Sequence, residues 1–130
     1  MKSKVILSSL LLPLFLCSCY ASSYKATILI TDVQSERAYI HFDSFEGQYV
    51  FKLKKLSKGE GNVHFTGSLG EGKIKVSYVS FGKEYSLFTL NSGEKVDDYG
   101  IYIEYGTKVP IIIKSDGKAL NGTFNFEVSK

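Results

Sequence analysis

The chain of 130 residues has little of several residue types, and each shortage excludes something. Its two cysteines, Cys17 and Cys19, both lie near the N-terminus, so no disulfide framework can hold the remaining residues together. A bond between them would close a very small, strained ring. With no tryptophan, two prolines and one methionine, the initiator, the apolar content comes from aliphatic residues, phenylalanine and tyrosine. There are only two histidines, His41 and His64, neither near a cysteine or the other histidine in sequence, which excludes a zinc-binding spacing. No segment repeats apolar residues at helical spacing long enough to make a convincing helix.

Hydrophobic residues make up 44% and aromatics 14%, and there are 12 glycines, a bias toward strands and turns. The length suits one domain. The formal charge of +3 includes Lys2 and Lys4; without them 14 basic residues stand against 13 acidic ones, close to neutrality. The longest basic run is Lys54-Lys55, and lysines alternate with acids along the chain. That pattern argues against a nucleic-acid partner.

Lys2 and Lys4 precede an apolar run from Val5 to Leu16, and small residues follow. This is the layout of a secretory signal; a membrane span needs roughly 20 apolar residues and the run is shorter. Leu16-Cys17-Ser18-Cys19 resembles the lipobox of bacterial lipoproteins. The resemblance implies residues 1–18 as a lipoprotein signal peptide in which Cys17 is discarded. Cys19 then becomes the lipidated first residue, acylated with palmitate-like chains, residues 19–24 form a tether, and residues 25–130 form the domain. Implied with it are export across the inner membrane and a lipid anchor in the cell envelope. Cys19-Tyr20-Ala21 also fits ordinary signal cleavage after Ala21, which would release a free protein. Each buried methylene contributes about 0.8 kcal/mol, so two or three acyl chains hold a protein on a membrane.

Beyond the leader, apolar runs of period two predict strands over 25–33, 37–43, 48–56, 62–69, 73–81, 84–90, 100–105, 109–114 and 122–128. In the last, Phe124, Phe126 and Val128 point one way and Thr123, Asn125 and Glu127 the other. The continuous Ile111-Ile112-Ile113 predicts a strand covered on both faces or one beside a sheet edge, with Pro110 at an edge or bulge. Glycine-containing turn signals fall at Glu46-Gly47, Gly70-Glu71-Gly72, Phe81-Gly82-Lys83, Asn91-Ser92-Gly93, Asp116-Gly117 and Asn121-Gly122. About nine short strands with tight turns predict an all-β fold, a single antiparallel β-sandwich or jelly roll, with a closed barrel as the alternative. From Gly93 onward, the Gly-Glu, Tyr-Gly, triple-isoleucine, Ser115-Asp116-Gly117-Lys118 and Asn121-Gly122-Thr123-Phe124 pattern resembles small uncharacterised lipoproteins of Gram-positive anaerobes. It also resembles, loosely, jelly-roll accessory domains of secreted enzymes.

Catalytic signatures are missing. No serine sits in Gly-x-Ser-x-Gly, Gly59-Glu60-Gly61 introduces a strand rather than a helix, and a short chain has little room for the cleft a carboxylate pair requires. Asn121-Gly122-Thr123 fits a glycosylation triplet but reads as a hairpin turn. Asp97-Asp98, flanked by Glu94 and Glu104, is a candidate half-site for calcium, set against the plainer reading of a solvated acidic loop. Otherwise no metal and no cofactor is indicated. Several of Tyr39, Tyr49, Tyr85, Tyr99, Tyr102 and Tyr105 must be exposed if their strands alternate. Tyr99, Tyr102 and Tyr105 are the candidate ligand contacts, suited to sugar stacking or protein contact. The expected function is therefore a non-enzymatic, membrane-anchored binding or envelope-associated module for a cell-surface glycan or protein. The alternative is an inhibitor of a hydrolase such as lysozyme or a protease, presenting a loop at 91–99.

Overall fold

The strands form where the alternation requires them. The computed structural model describes residues 21–129 and arranges them as β1 (Ser23–Thr27), β2 (Ile30–Val33), β3 (Arg37–Lys54), β4 (Glu60–Glu71), β5 (Lys73–Ser80), β6 (Lys83–Asn91), β7 (Lys95–Glu104), β8 (Lys108–Ser115) and β9 (Ala119–Val128). There is no helix among the described residues, and every named strand pair is antiparallel. In β9, Phe124, Phe126 and Val128 are buried while Asn125 and Glu127 are exposed. Cys17, Cys19 and the expected leader lie outside the described residues. Ser23 and Tyr24, expected in the tether, already belong to β1 and pair with Gln48 and Gly47.

Most of the glycine signals turn out to be bends within long passes of chain rather than hairpin turns. Residues 37–43 and 48–56, expected as separate strands, form the single 18-residue β3, because β1 pairs across its middle and keeps the ladder continuous. Only Gly72 separates β4 from β5, yet β4 pairs with β7 and β9 while β5 pairs with β6 and β8. The links from β6 to β7 and from β8 to β9 behave in the same way. Of the six signals, only Phe81-Gly82-Lys83 joins two strands that pair with each other, β5 and β6. Asn121-Gly122 lies inside β9, with Asn121 at φ +55°. Residues 25–33 divide at Ile28, whose φ is +51°.

At the bends stand Gly47, Gly72, Gly93 and Gly117, all with positive φ. The requirement is steric as well as conformational. A Cβ on Gly47 would run into Ser23 O and Tyr24 Cα, and one on Gly72 would lie 2.8 Å from both Ala119 Cα and Lys118 O. Two serines tie neighbouring bends together: Gly47 N–H donates to Ser115 Oγ at 2.8 Å, and Gly72 N–H to Ser92 Oγ at 2.9 Å.

Bending every pass at one level produces two layers, so the fold is a β-sandwich of the jelly-roll kind. The first layer runs β2, the N-terminal half of β3, β9, β4 and β7; the second runs the C-terminal half of β3, β8, β5 and β6. Ring contacts join the layers, Phe51 with Phe126 at 5.3 Å between centroids and Phe65 with Phe88 at 5.0 Å. Close packing leaves Gly122 no room for a side chain, since a Cβ there would strike the Phe42 ring. Ile111, Ile112 and Ile113 are all buried: β8 is central in its layer, and the outward Ile112 is flanked in register by Val50 and Ser77. Pro110 lies opposite Lys52 of β3, while the pairing of β8 with β5 ends at Ile111, so on that flank Pro110 stands at an edge, as its missing N–H suggested. Lys55 is also buried, at 1% exposure, and its ammonium donates to the Ser57 carbonyl at 3.0 Å and to Ser57 Oγ at 2.6 Å.

Candidate functional site

The outer face of the first layer carries three cross-strand rows. Strands lie about 4.8 Å apart, so residues in register present their side chains as a ladder. One row reads Asp32, Tyr39, Asn125, Thr66, Asp97 across β2, β3, β9, β4 and β7. Beside it lies Ile30, His41, Thr123, Ser68, Lys95, and on the other flank Arg37, Glu127, His64, Tyr99. All fourteen are exposed or half-buried.

Side-chain contacts hold these rows in place. The His64 and Tyr99 rings stack with centroids 4.6 Å apart and planes at 21°. His64 Nε2 lies 2.7 Å from Asp97 Oδ1. A carboxylate only accepts, so Nε2 carries the proton of this bond. His41 Nδ1 pairs with Thr123 Oγ1 at 2.9 Å, and its Nε2 is 3.4 Å from Asp43. Two shallow depressions adjoin on this face. One of about 440 Å³ is lined by Asp32, Arg37, Tyr39, His64 and Glu127 among others, and one of about 580 Å³ by Ser68, Lys95, Asp97 and Thr123; Thr66 and Asn125 belong to both.

Of the three expected tyrosines, this face gathers two. Tyr99 is in the third row, and Tyr102, opposite Asn62, lies further along β7 beyond a bulge between Asn62 and Val63. Ile101, at φ +55°, is the residue the bulge inserts, and it keeps both tyrosines outward. Hydrogen bonding to the Glu60 carboxylate, then desolvation and the charges of Glu60 and Glu104, push the Tyr102 hydroxyl up to about 12. Tyr105 does not join them. It follows the end of β7 and bridges Lys55 at the end of the sandwich away from the bends.

Two other expectations change. Asp97, Asp98, Glu94 and Glu104 do not converge as a half-site for calcium. Strand β7 alternates Asp97 and Asp98 to opposite sides, Asp97 holds His64, Asp98 accepts from the Tyr99 N–H at 2.8 Å, and Glu94 accepts from the Asn91 N–H at 2.6 Å and from its side-chain amide at 2.9 Å. These two Asn91 bonds hold the Glu94 carboxyl below its usual range. Among the described residues no three His, Cys, Asp or Glu side chains are grouped to hold a metal ion. The loop at 91–99 does not protrude either: only residues 92–94 lie between strands, and β7 begins at Lys95.

Tyr39 and His64 are parts of the face that periodicity alone left out. Alternation set both outward, but only the pairings of β3 with β9, β9 with β4 and β4 with β7 place them in one surface. Chemically, the face offers aromatic rings flanked by hydroxyl, amide, carboxylate and guanidinium groups at strand spacing. Such an array suits a flat, hydroxyl-rich ligand.

No protein-family model matches the chain, and no curated protein matches it. Solved structures share its outline. A carbohydrate-binding module, TmCBM61 in complex with β-1,4-galactotriose, is 18% identical over 87% of this chain and 92% of its own, with a TM-score of 0.45. A family 29 carbohydrate-binding module complexed with mannohexaose is 13% identical over 83% and 79%, with a TM-score of 0.42. The Clostridium difficile EutQ protein is 12% identical over 82% of this chain, which spans 63% of that protein's length, with a TM-score of 0.37. Likenesses at this level carry no ligand over to the present chain.

Proposed function

We propose that the chain is a non-enzymatic glycan-binding module, exported and held in the cell envelope by a lipid on Cys19. The observation that carries the binding reading is the outer face of the first layer. Tyr39 and Tyr99 stand on strands three spacings apart, about 14 Å across the sheet, in adjacent rows, with Asn125 and Thr66 following Tyr39 in its row and His64 beside Tyr99 in the next. One face of the Tyr99 ring rests on His64, and the residue is 63% exposed, so the other face is open to stack on a sugar ring. The polar side chains between the tyrosines supply the hydrogen bonds that fix a sugar's orientation.

Retention on immobilised cell-wall polysaccharides tests this directly. Tyr99→Ala and Asn125→Ala should each weaken retention about tenfold or more, while Tyr105→Ala, away from the face, should leave it unchanged. Unaltered retention in the first two variants would sink the glycan reading. The glycan should gain no new reducing ends on incubation, and their appearance would make the module an enzyme. For the anchor, Cys19→Ser should move the protein from the membrane fraction to the medium. Retention in the membrane fraction with unaltered leader processing would overturn that part alone.

A further inference from the structure

The outer face of the second layer has a different character. Alternation within β3, β8 and β5 sets Lys52, Lys54, Lys108, Lys114, Lys73 and Lys75 on it, around Val50, Pro110 and Ile112. Lys54 stands directly opposite Lys108, and Lys75 opposite Lys114. Like charges facing each other across a ladder destabilise a sheet. Among the described residues none of the six has an ion-pair partner; the ion pairs present are His41 with Asp43 and His64 with Asp97. The acids on this face are Glu84, on the edge strand β6, and Asp116, which follows β8 and whose N–H donates to the Lys73 carbonyl at 3.0 Å; Glu46 stands at the bend opposite Lys25. The first layer's outer face carries Asp32, Asp43, Asp97 and Glu127 together with Arg37 and Lys95. The fold thus concentrates lysines on one face and leaves the opposite face of mixed sign.

We infer that this lysine face docks on the surface of an anionic lipid bilayer. Three observations point to a membrane. The surface is a sheet face with an apolar centre, and sheet faces suit a planar partner. Phe81, at the tip of the β5–β6 hairpin beside this layer, is 101% exposed, an apolar ring available for the headgroup boundary. The described chain also begins at this layer's edge: Val50 N–H donates to Ser22 Oγ at 2.8 Å, and Gln48 Nε2 donates to the Ala21 carbonyl at 3.0 Å. A lipid on Cys19, as proposed above, would therefore enter beside this layer, near the lysine face. Two or three acyl chains on Cys19 would hold the protein on the membrane by themselves, and the basic face would set its orientation there. The inference rests on the charge distribution and holds whether or not Cys19 is lipidated.

The test uses the full chain carrying Cys19→Ser, which removes lipidation, and compares it with the same protein bearing Lys54→Gln, Lys75→Gln, Lys108→Gln and Lys114→Gln. Sedimentation with vesicles of mixed phosphatidylglycerol and phosphatidylcholine should show binding that weakens at least tenfold in the glutamine variant, since each lysine near an anionic surface contributes about fivefold. Binding should also fall steeply as salt is raised. Pure phosphatidylcholine vesicles should bind both proteins weakly and alike. The four lysines are at the surface, so the variant's melting temperature should be equal or higher; the two double variants, Lys54→Gln with Lys108→Gln and Lys75→Gln with Lys114→Gln, repeat the comparison with smaller changes. Equal binding to both vesicle types, or no loss on substitution, would overturn the inference. So would retention on inorganic polyphosphate without binding to anionic vesicles, which would assign the face to a soluble polyanion.

Discussion

The His64 imidazole lies against the Tyr99 ring at 4.6 Å while its Nε2–H reaches Asp97 Oδ1 at 2.7 Å, so one residue of β4 is held by two residues of β7. The three sit on the outer face of the first layer, and the contact sets the tilt of the tyrosine ring whose other side faces solvent.

This arrangement separates stability from binding. The His64 and Asp97 side chains are 37% and 73% exposed, and pairs of that kind contribute about 0–1 kcal/mol. Asp97→Ala should therefore shift the urea midpoint little. It should weaken glycan retention several-fold by freeing His64 and with it the Tyr99 ring. A large loss of stability with unchanged retention would show that the contact serves folding alone.

The bends offer a sharper contrast. Ala at position 72 meets a φ of +98° and two backbone atoms at 2.8 Å, whereas at position 82, with φ +74°, nothing lies within 4 Å. Gly72→Ala should cost about 2–4 kcal/mol, from left-handed strain and overpacking together, and Gly82→Ala about 1–2 kcal/mol from strain alone. Equal costs by denaturant titration would mean that the bend at Gly72 relaxes.

Tyr102 makes a pH prediction. Its neutral hydroxyl donates to Glu60, which raises its pKa from 10.0 to about 12. The native state thus favours the protonated form. The contribution is present in full below pH 10 and is lost as pH rises through about 12. Tyrosinate absorbance should show one late-titrating tyrosine, and Glu60→Gln should return it toward the ordinary value. A titration unchanged by that substitution would remove Glu60 as the cause.

How far the fold could be read in advance depended on whether the signal was local. The alternation in 122–128 and 62–69 located the inward residues of β9 and β4 because burial on one face imposes period two on a strand whatever lies beside it. The glycine signals marked the right places, but apart from the hairpin at Phe81-Gly82-Lys83 they suggested the wrong geometry. Positive φ is needed both where a chain reverses and where a continuous ladder bends, and the choice depends on partners 20 to 70 residues away, such as Tyr24 for Gly47 and Ala119 for Gly72. The same limit explains the site. Tyr99 and Tyr102 stood out as exposed aromatics, but Tyr105 was grouped with them by proximity in sequence, which stops mattering once the strand ends at Glu104.

The sequence by itself determined the strand-forming runs, the side of each strand that is apolar, the places where only glycine fits, and the lipobox resemblance at Cys19. Tertiary structure alone decided which strands are neighbours and in what register. From that followed a single face shared by Tyr39, Asn125, Thr66 and Tyr99, and the gathering of six lysines scattered from Lys52 to Lys114 onto the opposite one. The physical reason is that a ladder joins residues across any sequence separation, while period two fixes only which way each residue points.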